Sequence, residues 1–156
     1  MMKMEKPVAL LAEEIAHFAS KGRTVEMKAK GFSMRPFIRG GEDSLVLGPV
    51  RNIRKGDILF CRISQNNYVI HRLVRMDGKS LVLMGDGNIK GTERCSTDDV
   101  VAKVIRIEGK RRMFNCDSFC FRVLSFLWWK LLPLRCYLLA IFRAGEKIKN
   151  IVIKRN

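Results

Sequence analysis

The chain of 156 residues suits one domain with a core of ordinary size, and its 47% hydrophobic and 29% charged residues exclude a disordered polypeptide. Thirty Lys and Arg against fifteen Asp and Glu give a net charge of +15, a field that attracts polyanions such as nucleic acid or anionic lipid. From Lys103 onward there are 13 basic and 3 acidic residues, so +10 of that charge falls in the last third.

Met1 to Lys6 is charged, and the apolar run after Pro7 is broken by Glu13 and Glu14, so no cleavable secretory signal is expected. Pro7 to Lys21 instead has helical spacing, with Val8, Leu11, Ala12, Ile15 and Phe18 on one face and Gly22 as a stop. His17 within it reads as a surface histidine.

From Thr24 to about Ile107 the pattern changes to short β-like runs. Strands are expected at Thr24–Ala29, Ser44–Leu47, Asp57–Ile63, Tyr68–Arg75, Ser80–Met84 and Asp99–Ile107. Asn66-Asn67 and Asp77-Gly78 mark hairpin turns, and Gly40-Gly41, Gly48-Pro49 and Gly85 to Gly91 read as loops. The expected fold is thus mainly β (α+β). It comprises an N-terminal helix over 1–22, a β-domain over 23–112 and an apolar, basic helical segment over 113–156.

Phe119 to Phe142 is strongly apolar, but Arg122, Lys130 and Arg135 interrupt it and Pro133 kinks it. Each cation at mid-bilayer costs about 2.5–3.5 kcal/mol, which argues against a simple span. Trp128, Trp129 and Tyr137 among those cations suit a helix lying at an anionic membrane surface. The alternative is packing on the β-domain or on a second subunit, with the cations turned outward. The expected location is cytoplasmic, or peripheral at a membrane through this segment.

Five cysteines form no Cys-x-x-Cys pair and have no histidine partner at zinc spacing, so they read as reduced thiols. Neither a metal nor a cofactor is expected.

Three blocks carry candidate chemistry. In Gly31-Phe-Ser-Met-Arg-Pro36 the glycine and proline flank a sharp turn, on which Ser33 would present a hydroxyl beside a free backbone N–H. In Tyr68-Val-Ile-His-Arg-Leu-Val74, His71 would take the serine proton, since an ordinary imidazole titrates near neutral pH. In Met84-Gly-Asp-Gly-Asn88, Asp86 on a glycine-flanked turn would orient the imidazole. Each block alone has an ordinary structural reading: a loop serine, a core histidine bonded to a carbonyl, an aspartate capping its own turn.

Together with Lys55-Gly-Asp-Ile-Leu-Phe60, and in this order, the blocks resemble the LexA/signal-peptidase superfamily of serine peptidases over roughly Thr24 to Ile107. That resemblance implies a mostly β catalytic fold and a peptide or protein substrate. His71-Arg72 stands where bacterial members show Lys-Arg. The match is therefore to the Ser-His type of the archaeal and endoplasmic-reticulum signal peptidases, with Ser33 as nucleophile and His71 as base. It also implies a positioning role for Met34, an oxyanion donor in the Ser33 N–H, and a structural role for Asp57. Gly31 stands where signal peptidases commonly carry a second serine. Ser-His members usually have a further aspartate a few residues after the Gly-Asp turn. Ile89-Lys90-Gly91-Thr92-Glu93-Arg94 offers none, leaving Asp86 first and Asp98 or Asp99 behind it.

The alternative from another class is an inert basic protein binding a membrane surface. Nucleic acid is disfavoured as a partner, because no helix-turn-helix, aromatic RNA-binding pattern or zinc finger is readable. Self-cleavage ranks low for want of a cleavable Ala-Gly hinge before Ser33.

Overall fold

The computed structural model describes residues 8–155, with side chains through Gly145. Pro7, expected in the first helical turn, and the charged start before it lie outside the described residues. So do the basic side chains beyond Gly145.

Helix α1 (Val8–Ser20) packs on an eight-stranded antiparallel sheet. The strands are β1 (Val25–Lys28), β2 (Ser44–Gly48), β3 (Ile58–Ser64), β4 (Asn67–Asp77), β5 (Ser80–Met84), β6 (Glu93–Ser96), β7 (Val100–Gly109) and β8 (Arg112–Asn115). Their order is β1-β2-β7-β3-β4-β5-β6. β7 serves three partners: β2 lies along one edge, while β3 takes residues 100–103 and β8 residues 106–109 of the other. Helix α2 (Phe119–Lys130), a single 3-10 turn (Leu132–Leu134) and helix α3 (Arg135–Arg155) complete the chain.

The six expected strands are present within a residue or two at most ends. The β3–β4 and β4–β5 connections are two-residue hairpins at Gln65-Asn66 and Gly78-Lys79, with Gly78 at φ +54° as such turns require. Two short strands were not expected. β6 falls between the expected Gly85–Gly91 loop and the strand expected from Asp99, and β8 carries the sheet past Arg112, the anticipated end of the β-domain. The α1 stripe is also rotated: Ala12, Ile15 and Ala19 are buried, whereas Val8 and Phe18 are exposed. Small residues let the helix approach the sheet closely, and the bulkier pair is left outside.

Apolar side chains fill both faces of the sheet. One cluster joins α1, Phe37, Ile38, Leu45, Leu47, Ile58, Phe60, Val104, Ile107 and Phe121. A second joins Leu59, Cys61, Leu73, Leu81 and Leu83. β3, with Ile58 to Cys61 all buried, is shared by the two, as expected of a central strand covered on both sides.

Buried between sheet and α2 is one guanidinium. Arg72 donates to both carboxylate oxygens of Asp86 (2.7 and 2.6 Å), to the Gly56 carbonyl (2.8 Å) and to Ser125 Oγ (2.7 Å). Its flat face lies 4.9 Å from the centre of the Phe37 ring. Ser125 in turn donates to the Phe121 carbonyl, and Trp128 Nε1 donates to the Asp86 carbonyl. Planar, forked geometry makes Arg suited to this, and Lys could not reproduce it.

A second buried carboxylate, Asp57, meets Lys103 (3.3 Å) and Arg122 (3.0 Å) and accepts the Arg54 N–H, which ties β7 and α2 to the turn before β3.

Removing one partner of a buried pair leaves the other charge stranded. Asp86→Ala should therefore cost about 3–5 kcal/mol of stability, whereas the double substitution Arg72→Met with Asp86→Leu should cost clearly less than the two single changes summed. Urea unfolding midpoints of the four proteins check this.

Candidate functional site

Ser33 lies in the loop joining β1 to β2. The ends of that loop are tied by Ala29 N–H to the Asp43 carbonyl (3.0 Å) and Gly41 N–H to the Ala29 carbonyl (2.8 Å). The loop folds tightly on itself. Gly31 adopts φ +78°, a conformation that strains any other residue, and a Cβ on Gly40 would sit 2.0 Å from the Gly31 carbonyl oxygen, so Gly40 has no room for a side chain. Asp43, buried, accepts the Arg39 N–H and pairs with Arg112 of β8. Arg112 also donates to the carbonyls of Pro36 and Phe37, and thus clamps the segment just after the serine.

The Gly-Asp-Gly turn backs the serine loop. Gly87 N–H donates to the Ser33 carbonyl (2.7 Å), and a Cβ on Gly85 would lie 2.5 Å from that same oxygen. The glycines of this block are explained by close backbone approach. Among the described residues no backbone carbonyl accepts the N–H of Ser33 or of Met34. Met34 is buried, and its carbonyl accepts the Ile38 N–H.

His71 reaches Ser33 from β4. Its Nε2 lies 3.0 Å from Ser33 Oγ, and its Nδ1 lies 2.8 Å from Glu93 Oε2. An ionised carboxylate only accepts, so the ring bears its proton on Nδ1 and donates to Glu93. Nε2 is then the acceptor for the serine hydroxyl. The imidazole is buried, and Glu93 is partly exposed.

Asp86 does not orient the imidazole, a correction to the expectation from sequence. Neighbouring residues on a strand point to opposite faces, so the side of the sheet that receives Arg72 is not the side that receives His71. Asp86 meets Arg72. Glu93, at the start of β6, pairs in register with Leu83, which pairs with Leu73, two residues along the same face from His71. Asp98 and Asp99 are also elsewhere: Asp98 faces Lys79, and Asp99 pairs with Arg62 (3.0 Å). The Ser96 backbone N–H, and after it Arg62, hold the Asp99 carboxyl below its ordinary range. The signal missed in the sequence was a carboxylate of any kind at the spacing searched for aspartate alone.

Beside Ser33 and His71 runs a cleft of about 400 Å³ walled by Met27, Met34, Ile38, Phe60 and Tyr68. Its lining is mostly apolar, with the hydroxyl and imidazole as convergent polar groups, the composition general to binding clefts. β1 forms one end of the strand order and leads directly into the cleft wall at Lys28 to Gly31.

Other nucleophiles fit less well. Burial pushes the Cys61 and Cys95 thiols up from their ordinary range and the Cys116 thiol up to about 12, so all three are protonated near neutral pH. Lys103 is engaged by Asp57 and Asp117. Among the described residues no group of three or more His, Cys, Asp and Glu could hold a metal ion.

No family model matches the sequence, and no curated protein matches it.

The hydrogen-bond pattern fixes a testable tautomer. Nitrogen NMR of ¹⁵N-histidine protein, above the pH at which the ring is charged, should show His71 protonated at Nδ1 with an unprotonated Nε2. Glu93→Ala should release that preference.

Proposed function

We propose that this protein is a serine peptidase of the LexA/signal-peptidase type, working through Ser33, His71 and Glu93. The observation that carries the reading is the continuous relay from Ser33 Oγ to His71 Nε2 (3.0 Å) and from His71 Nδ1 to Glu93 (2.8 Å). A hydroxyl, a base and an orienting carboxylate at hydrogen-bonding separations are what activated serine chemistry needs. The order of the sequence blocks and the mostly antiparallel β-architecture support the same family, and the histidine base supports its Ser-His branch.

In this reading the Ser33 hydroxyl transfers its proton to Nε2 as Oγ attacks the scissile carbonyl carbon. The Ser33 and Met34 N–H groups receive the developing oxyanion, with Gly31 shaping the turn that carries them. Collapse of the tetrahedral intermediate breaks the C–N bond, and His71 returns its proton to the leaving amine. Water, deprotonated by His71, then hydrolyses the Ser33 ester and restores the hydroxyl. Glu93 keeps the ring in the accepting tautomer and stabilises the imidazolium formed in each half-reaction.

An extended peptide would add to the free edge of β1 and place one apolar side chain in the cleft of Met27, Met34, Ile38, Phe60 and Tyr68. Asp86 then serves the reaction only by anchoring the Gly-Asp-Gly turn that supports the serine carbonyl.

Activity and stability should therefore separate by residue. Wild type should hydrolyse an apolar peptide ester. Ser33→Ala and His71→Ala should each lose most of the rate, and Glu93→Gln should lose roughly 10⁴-fold in kcat by analogy with removal of the acid from other triads. Asp98→Asn and Asp99→Asn should retain near wild-type rates. Full activity in Glu93→Gln, or equal turnover by wild type and Ser33→Ala, would overturn the assignment.

A further inference from the structure

The C-terminal segment divides its side chains sharply. One side is built into the domain: Phe121, Ser125, Arg135 and Leu139 are buried, Trp128 donates to the Asp86 carbonyl, and Arg135 donates to the Asn88 carbonyl. The other side is apolar and bare. Phe119, Phe126, Leu127, Leu134, Tyr137 and Ile141 are each more than half exposed, on two helical pieces that meet at 65°. Single exposed apolar residues are ordinary, but a row of six on adjoining turns is a surface with a partner.

We infer that this bent helix pair is a membrane-docking face, which seats the protein in the headgroup layer of an anionic bilayer without crossing it. Charge selects the occupant. A second copy would bring another chain of +15 against this one, and +10 of that charge belongs to the very third of the sequence that carries the face. Self-repulsion opposes such pairing, whereas an anionic leaflet attracts it.

The aromatic chemistry agrees. Lys55 Nζ lies 3.7 Å from the centre of the Trp129 ring, and Lys130 Nζ lies 5.4 Å from the same ring and 5.6 Å from that of Phe126. Such cation–aromatic sets belong at headgroup depth. A cavity of about 380 Å³ lined by Lys55, Phe119, Arg122, Val123, Phe126 and Trp129 lies against α2, with cations and apolar walls together as a lipid needs.

Crossing is excluded by the packed side. No single helix among the described residues is long and apolar enough to span, and a bent pair inserted across the bilayer would have to strip Ser125 from Arg72 and Trp128 from Asp86. The pair therefore lies flat, with one side on the protein and the other on lipid.

The test uses the full chain and two vesicle compositions, phosphatidylcholine alone and with about a third phosphatidylglycerol. Each cation near such a surface contributes about fivefold, so sedimentation with the anionic vesicles should exceed that with neutral ones by at least about tenfold and should weaken with salt. Phe126→Asp with Leu134→Asp, both at exposed positions, should abolish binding while leaving the circular dichroism and melting curve near wild type. A second variant, Lys130→Glu with Arg143→Glu, should lose the preference for anionic vesicles. In Trp128→Phe, Trp129 should be quenched more by lipids brominated near the headgroup than near the chain end.

Absence of sedimentation with both vesicles would overturn the proposal. So would unchanged binding by the aspartate variant, or a wild-type dimer that this variant dissociates. Ser33→Ala should bind vesicles as wild type does, because docking stands apart from the chemistry at Ser33.

Discussion

One buried ion pair organises the molecule. Arg72 joins four segments that are distant in the chain: the Gly-Asp-Gly turn through Asp86, the turn before β3 through Gly56, α2 through Ser125, and the serine loop through the ring of Phe37. Taking a guanidinium and a carboxylate out of water is expensive, and the cost is offset here because both carboxylate oxygens, and most of the five N–H donors, are satisfied. Because Arg72 adjoins His71 on one strand, whatever fixes the first also fixes the backbone that carries the second. The relay from Ser33 to Glu93 is held from behind.

That division of labour explains a pattern the sequence left ambiguous. His71-Arg72 and Gly85-Asp86-Gly87 were legible as blocks that belong together, and strand alternation decides which residue meets which. The arginine takes the aspartate, and the histidine, turned to the other face, takes the serine and Glu93. Asp86 was the visible acid because its glycine-flanked turn stands out. Glu93 opens a four-residue strand, Glu93–Ser96, with no apolar alternation to mark it. Its role depends on β5–β6 register, which no local pattern encodes. β8 was hidden for a similar reason, since Arg112–Asn115 is too short and too polar to announce a strand. The longer strands, the two hairpins and both helical ends were legible from period and turn chemistry alone. The α1 stripe was misjudged because Ala19 counts for little in an apolar pattern, yet only a small residue fits where the helix meets the sheet.

The C-terminal helices belong to the same framework. Their inner side completes the Arg72 environment and adds Phe121 to the core cluster; their outer side stays apolar against a basic background. Sequence alone offered packing and membrane contact as alternatives. The two are compatible, because opposite sides of one helix pair can meet different media. A peptidase held in this way would present the Ser33 cleft at a fixed orientation to the surface on which it rests.

The central claim is that a single hydroxyl, Ser33, is made nucleophilic by the imidazole and carboxylate aligned behind it. The most direct measurement is covalent capture: treat the folded protein with a fluorophosphonate, digest it, and locate the adduct by tandem mass spectrometry. One phosphonyl group on Ser33, absent from the His71→Ala protein and from denatured wild type, is the predicted result. Modification spread over other hydroxyls, or equal modification in the denatured chain, would contradict it.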